Sequence, residues 1–458
     1  MKKEILARAL QYIDSWLAFR ATRVDIPGWV VAITHQNKVV FNKAYGYAQL
    51  DNKEELTTNH LFRVASHSKS FAAVSILQLA EQGKLTLDDP IIKHLSWLEG
   101  HDDPRMKVVT IRQVLSHSAG ITRDGDDCNF WEATKPFPSK KELKRIVRET
   151  NLLCDTNIEM KYSNFGYGLV GMIIESISGL SFDQYIQKHI CRPIGLKNTG
   201  SGRLHEEIVD RLVTGYSRRD LGLRRPISKT MDTLSLDAAT GCYSTTAELN
   251  AFYCALDVGT NQLLNDESKK TMRQALWNAR WYDEFREYGL GIQIEHINDH
   301  KLYGHGGGFP GHRTFTGYDP EAKLSISLFV NAIDIDPRFI TKGIWSVIDF
   351  FASNYVKKPD IDATKFEGRF MCLWYIADIV VWGNKIVSVS PDSWYPLCDT
   401  EELEYVDDQT LKVVVTDGYS SKYELLKYDF DKKGEVKSID YTGRTILPEK
   451  EYLKSLQN

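Results

Sequence analysis

The stretch RVASHSKSF, residues 63–71, places Ser66 three residues before Lys69 at the start of a helical pattern. On a helix, positions i and i+3 share a face, so the hydroxyl and the amine would lie side by side without help from tertiary structure. The positive end of the helix, together with burial, disfavours an ammonium and favours the free, basic amine. A neutral amine beside a hydroxyl is what a serine nucleophile needs. The same residues also allow a plainer arrangement, in which Ser66 caps the helix and Lys69 is solvated. No other S-x-x-K occurs in the chain.

Two further stretches carry residues of matching chemistry. In KYSNFGYG, Tyr162-Ser163-Asn164 is the only Y-x-N among 22 tyrosines. A phenol can relay a proton when nearby cations lower its pKa, and an amide can hold a substrate peptide group. In YGHGGGFPGHRTF, His305-Gly306-Gly307-Gly308 directly precedes a predicted strand. Glycines there let a substrate lie against strand backbone and leave an N–H free to donate.

Three other uses of that glycine run fit less well. A lipase-type oxyanion loop would lie upstream of a G-x-S-x-G elbow, and the chain has no such elbow. Gly306-x-Gly308-x-x-Gly311 matches a dinucleotide fingerprint in form, but it contains Pro310 and leads into a strand. His305 and His312 as metal ligands lack a companion cluster. No metal and no cofactor is expected.

These residues need a scaffold. Leu6, Leu10, Ile13 and Leu17 recur at helical spacing and predict an amphipathic first helix. Glu4, Arg8 and Asp14 break the apolar run that a signal peptide would need, and no stretch is long and apolar enough to span a bilayer. Residues 29–48 alternate and turn at Gln36-Asn37-Lys38, as a hairpin does. A helical pattern follows from Ser66, with Gly83 as its stop, and residues 84 to about 240 are mostly helical in pattern. YGLVGMIIESISG, 167–179, reads as a buried helix ending in glycine. Strand pattern returns at 288–297 and in a second hairpin, 312–332, turning at Asp319-Pro320; a long helix is predicted at 340–356. Strands at both ends of a helical middle imply an α/β (α+β) domain: an antiparallel sheet flanked by helices, with a helical insertion.

The polar segment 357–368 marks a boundary. Beyond it, short strand-like runs separated by Gly, Asn and Asp turns suggest a small antiparallel barrel. Two domains are expected, 1–356 and 363–458. The chain has 458 residues, 42% hydrophobic and 26% charged, with a net charge of −4, so no basic field is available to hold nucleic acid. Its seven dispersed cysteines fit reduced thiols in a cytoplasmic compartment.

S-x-x-K, then Y-x-N, then H-x-G at the mouth of a late strand occur in this order. This resembles the serine β-lactamase and penicillin-binding protein superfamily, in its class C-like branch. FRVASHSKSFAAVSILQLAEQGKLTLDDPI is similar to that family's nucleophile helix, TIRQVLSHSAGI (110–121) to its L-L-T-H-T-S-G-L segment, and DAATGCYSTTAELNAF (237–252) to its G-G-L-x-S-T-A-x-D-L-x-R-F segment. The similarity runs from about residue 20 to 350. The C-terminal segment resembles the lipocalin-like barrel that some peptidase-like members append.

The resemblance implies a five-stranded antiparallel sheet and an acyl-enzyme on Ser66. It implies that Lys69 and Tyr162 share the acid and base work and that Asn164 holds the acyl-side amide. The Ser66 and Gly308 N–H groups would form the oxyanion hole, with His305 and Gly307 beside the substrate. Where many penicillin-targeted relatives carry lysine, this chain has His305, a weaker anchor for a substrate carboxylate because histidine is only partly charged near neutral pH. An intracellular peptidase or esterase for small acyl or D-amino-acid substrates is therefore expected. A β-lactamase or D-alanyl-D-alanine carboxypeptidase is the alternative, and a low-turnover penicillin-binding or sensor protein is a third reading. The expected partner is a small-molecule or peptide substrate, with no nucleic acid and no membrane; the C-terminal domain is a candidate for homo-oligomer assembly.

Overall fold

The structure is a computed structural model that describes all residues except 282–283, 394, 417–420 and 458. It divides into two compact units: Ile26–Arg338, and a second that joins Met1–Asp25 to Phe339–Asn458. The sequence places a boundary after 356, whereas this division gathers the first helix, α1 (Lys3–Arg23), into the unit that holds the C-terminal strands. The physical reason lies on the helix itself. Leu6, Ile13, Trp16 and Leu17 are buried, Trp16 Nε1 donates to the Pro391 carbonyl at 3.1 Å, and Tyr12 OH donates to Asp378 Oδ2 at 3.0 Å.

The unit Ile26–Arg338 is built on one antiparallel sheet. Its strands are β1 (Gly28–His35), β2 (Lys38–Gln49), β3 (Glu54–Glu55), β4 (Trp277–Trp281), β5 (Glu284–Tyr288), β6 (Gln293–Ile297), β7 (His300–Phe309), β8 (His312–Asp319) and β9 (Leu324–Val330). Their order is β3-β2-β1-β9-β8-β7-β6-β5-β4. The sheet thus has nine strands, where five are implied by the resemblance. β1 and β2 form the expected hairpin, with Gln36 and Asn37 both at positive φ, the backbone of a tight primed turn. β1 also pairs with β9, from Trp29↔Val330 to His35↔Leu324, and nearly every residue of this central pair is buried.

The run 288–297 is not one strand. It turns between Tyr288 and Gln293, with Gly289 N–H on the Ile292 carbonyl at 3.0 Å. Gly291 in that turn has φ +65, and a Cβ there would stand 2.6 Å from the Lys69 carbonyl oxygen. Only glycine lets this turn lie on the nucleophile helix, where Ser70 Oγ donates to the Gly291 carbonyl at 2.6 Å.

Three helices position the site: α2 (Ser68–Glu81), α3 (Asn164–Ser178) and α4 (Thr246–Ala255). α2 is buried all round from Ser68 to Leu79, as a central core helix is, and Phe71 stacks on Phe252 of α4 at 3.9 Å. α3 ends as its sequence predicts, at Gly179 in the left-handed region, with Gly179 N–H on the Glu175 carbonyl. No single helix among the described residues is long and apolar enough to cross a membrane.

The second unit carries a closed barrel of β10 (Gly368–Met371), β11 (Ile376–Trp382), β12 (Lys385–Val389), β13 (Thr400–Asp407), β14 (Thr410–Val415), β15 (Leu425–Phe430), β16 (Val436–Tyr441) and β17 (Arg444–Pro448). Phe366, Leu411, Tyr428, Ile439 and Ile446 fill its interior. Of its conspicuous aromatic residues, Trp382 donates to the Phe351 carbonyl, Trp374 is exposed, and Trp394 lies outside the described residues. A cleft of about 550 Å³ on this unit, around Lys385 and Glu402, is lined by no Ser, Cys or His.

Candidate active site

The chain enters the site in extended form, with Phe62 and Arg63 paired to Ser244 and Tyr243. It then turns sharply. Ala65 has φ +51, a conformation that a residue with a Cβ adopts only at a cost, and Ser66 follows in a short 3₁₀ turn, Ala65–His67, leading into α2. Ser68 holds the turn: its Oγ donates to the Ala65 carbonyl at 2.7 Å and accepts the Cys242 N–H at 2.9 Å.

Lys69 is fully buried one turn beyond Ser66. Its Nζ lies 3.2 Å from Ser66 Oγ, 2.8 Å from Asn164 Oδ1 and 2.8 Å from the Ala239 carbonyl oxygen. Burial pushes the ammonium well below the ordinary lysine value, against the opposing charge of Asp124. A free amine has two N–H bonds and one lone pair. Asn164 Oδ1 and the Ala239 carbonyl can only accept, so they take both N–H bonds, and the lone pair is left to Ser66.

Tyr162 approaches from the other side, its OH donating to Ser66 Oγ at 3.0 Å. Burial raises this phenol, outweighing the hydrogen bond to Ser66 and the Arg123 charge, so it stays protonated at neutral pH. The next residues set its position. Ser163 caps α3 through the Gly166 N–H, and its own N–H donates to His117 Nδ1 at 3.1 Å. The His117 ring lies 4.0 Å from the Tyr162 ring.

β7 closes the site. Gly307 faces the nucleophile turn, where a Cβ would fall 2.4 Å from the Val64 carbonyl oxygen. Gly306 and Gly308 face the other way and, with Tyr162, line a cavity of about 580 Å³, a size suited to a small ligand. His305 does not line it. That residue is buried, its Nδ1 2.7 Å from the Gly306 carbonyl oxygen and its Nε2 3.1 Å from Tyr288 OH. A carbonyl accepts only, so Nδ1 carries the proton and Nε2 accepts from Tyr288. Burial is the leading cause that lowers the imidazole to about 3. His305 is therefore neutral near pH 7, with both nitrogens in use.

Ser66, Lys69, Tyr162 and Asn164 thus meet at one point, with Gly307 and Gly308 beside them and His305 behind the strand. Sequence reasoning missed Asp124, which accepts from Asn164 Nδ2 at 2.8 Å, and the parts played by His117, Tyr288 and the Ala239 carbonyl. The Arg123-Asp124 pair, set in the glycine-bearing loop just after SHSAGI, was the available signal for Asp124. Among the described residues no group of three His, Cys, Asp or Glu is placed to hold a metal ion.

Comparison with known proteins agrees with this geometry. The beta-lactamase family matches residues 13–339. Protein flp of Staphylococcus aureus strain MW2 is 30% identical over 191 residues, 41% of this chain and 38% of that protein. Penicillin-binding protein 4* of Bacillus subtilis strain 168 is 30% identical over 292 residues, 60% of this chain and 62% of that protein. Each match spans less than two thirds of the relative's length. Among solved structures, the octameric penicillin-binding protein homologue from Pyrococcus abyssi superposes with a TM-score of 0.64 at 21% identity, over 96% of this chain and 99% of that one. The D-amino acid amidase from Ochrobactrum anthropi SV3 superposes with a TM-score of 0.60 at 26% identity, over 74% and 99%.

Proposed function

The chain belongs to the beta-lactamase family, and from that premise we propose that it is a peptidase or esterase that forms an acyl-enzyme on Ser66, acting on small acyl or D-amino-acid-containing substrates. One observation carries the reading: Ser66 Oγ lies between the buried Lys69 amine at 3.2 Å and the Tyr162 phenol at 3.0 Å.

Ser66 Oγ attacks the substrate carbonyl while its proton passes to the Lys69 lone pair. The N–H groups of Ser66 and Gly308 receive the oxyanion. The leaving group departs with the proton of Tyr162, which the Lys69 ammonium replaces, so the amine and the phenol return to their starting states. Water then attacks the acyl carbonyl. Its proton goes to the Lys69–Tyr162 pair and is returned to Ser66 Oγ as the acid leaves. Asn164 holds the Lys69 amine in place throughout.

The relative from Ochrobactrum, a D-amino acid amidase, supports acyl transfer to water from small amides. The neutral, occupied His305 supports the departure from carboxypeptidase-like substrates, because it offers no cation at the place where many relatives carry lysine. Assembly through the barrel unit belongs to the same reading, and light scattering of the intact chain tests it. The catalytic reading is tested with a fluorophosphonate and a panel of p-nitrophenyl esters, D- and L-aminoacyl anilides and nitrocefin. The expected result is an adduct on Ser66 by mass spectrometry and turnover that Ser66→Ala abolishes. An adduct on another serine with Ser66→Ala still active overturns it. Rapid turnover of nitrocefin alone would favour a β-lactamase.

A further inference from the structure

The loop 217–225, SRRDLGLRR, forms a short hairpin that is held firmly at its base. There Gly215–Tyr216 pairs with Pro226–Ile227, Tyr216 is buried, and Tyr216 N–H donates to the Asn331 carbonyl at 3.0 Å. Ser217 and Arg225 tie the stalk: Ser217 N–H donates to the Arg225 carbonyl and Arg225 N–H to Ser217 Oγ, both at 2.9 Å. Arg224 is ion-paired to Asp334, whose carboxylate also accepts the Arg219 N–H at 2.8 Å. At the tip, Asp220 and Leu223 exchange backbone hydrogen bonds of 3.0 and 2.9 Å around Leu221 and Gly222.

The tip residues are unusual for such a turn. Leu221 has φ +49 and Gly222 has φ +85, the two positive values of a primed two-residue turn. Asparagine or glycine suits the first position, whereas a leucine there carries a steric cost. Leu221 is fully exposed, so burial within the chain offsets none of that cost, and Leu223 beside it is 76% exposed. Arg218, Arg219 and Arg225 flank them and are exposed too. Four arginines against one aspartate make the loop positive in a chain whose net charge is −4.

We propose that the 217–225 hairpin is a peripheral docking tip for an anionic lipid surface. Leu221 and Leu223 enter the headgroup boundary. The flanking guanidiniums meet lipid phosphates while their stems lie along the interface. No spanning segment is required. A lipid surface suits the tip better than a protein groove does. A stable protein interface buries about 800 Å² on each side, and two leucines on a narrow turn supply only a small part of that. A bilayer deforms around an isolated apolar tip and needs no matching shape. Contact through one short apolar anchor is reversible. Nothing in this contact depends on chemistry at Ser66, so its failure leaves the acyl-transfer reading untouched.

The intact protein is sedimented with vesicles of phosphatidylcholine alone and of an equal mixture of phosphatidylcholine and phosphatidylglycerol. The mixed vesicles should bind it roughly 10-fold tighter or more, since each cation near an anionic surface contributes about fivefold. Raised salt should shrink the difference, and Arg218→Gln with Arg219→Gln should remove most of it. Leu221→Asn with Leu223→Ser should weaken binding to the mixed vesicles roughly 10-fold or more, because two side chains lose their transfer out of water. The Tm of that variant should match or exceed the parent's, as asparagine suits the positive φ at 221. Leu221→Trp, which keeps a side chain suited to the interface, should retain binding. Binding that is absent from both vesicles, equal on the two, or undiminished by the leucine substitutions overturns the proposal. A concentration-dependent mass in light scattering that falls on Leu221→Asn, without vesicle binding, assigns the tip to a second copy of the chain and overturns it as well.

Discussion

Asp124 Oδ1 lies 2.8 Å from Asn164 Nδ2, and through that bond it decides which face of the amide Lys69 meets. Rotating the amide would set its N–H bonds against the amine and its oxygen against a carboxylate, so the observed orientation is the one the charges permit. Asn164 thereby takes one N–H of Lys69 and leaves the lone pair to Ser66. Asp124 never touches the reacting atoms; it is a positioning residue.

That arrangement has a measurable sign. The Lys69 amine is pushed below the ordinary lysine value by burial, while the Asp124 charge holds it up. Activity that needs the free amine should rise with pH along a limb below the usual lysine range. Asp124→Asn keeps an acceptor for Asn164 but removes the negative charge, so the ammonium is less favoured and the limb should move to lower pH. The kcat/KM profile of the two proteins checks this. A shift to higher pH, or none, counts against the assignment of Lys69 as base.

Lys69 and Tyr162 share one proton circuit through Ser66 Oγ. Lys69→Ala or Tyr162→Phe alone should lower kcat by roughly 10²-fold or more. The double variant should lose far less than the product of the single losses, because groups that act as a unit are not additive. Steady-state kinetics on one ester for all four proteins gives the comparison. Full multiplicativity would assign the two residues separate tasks.

The parts of this site that lie close in sequence, or in a fixed order, were legible before folding. Ser66 and Lys69 are one helical turn apart, and the Y-x-N and H-x-G segments follow in the expected order. Asp124 and His117 were not legible, because each acts across about forty residues on the segment 163–164. The role of His305 was also hidden, since spacing does not say whether a ring faces a cavity or the core. In the fold, the unforeseen strands β4 and β5 come from WNARWYDEFREY, whose many charges mask the alternation of a strand, whereas β6 falls within the predicted run 288–297. The partners of α1 lie more than 360 residues away, beyond any local pattern.

Four buried histidines set an acid limit on stability. Burial is the leading cause that lowers His67, His117, His305 and His312, the last two to about 3. Below the unfolded value near 6.5, the unfolded chain binds protons that the folded chain refuses. Stability therefore rises with pH through that window and is lost as pH falls from about 6.5 toward 3. The Tm should drop steadily as the pH falls below about 6.5. His312→Gln, if it folds, should show a shallower drop. A Tm that rises on acidification through this window would contradict the neutral, buried assignment.

Gly307 and Gly308 are neighbours in sequence but should respond oppositely to one methyl group. At Gly307 an added Cβ would meet Thr314 Oγ1 at 2.1 Å and the Val64 carbonyl oxygen at 2.4 Å, and the second of these is backbone that holds the nucleophile turn. The strand or the turn must move, which costs about 1–3 kcal/mol in a packed interior. At Gly308 the nearest atom is Arg313 Nη1 at 3.8 Å, an ordinary contact. Gly307→Ala should therefore lower the Tm by several degrees and slow labelling of Ser66 by a fluorophosphonate. Gly308→Ala should melt close to the parent protein, since its methyl group enters the open cavity. Neither position has a positive φ, so backbone strain cannot account for a difference between them. Equal losses of Tm in both variants would mean that β7 is not pressed against the Ser66 turn, and that Gly307 is not what brings the two together.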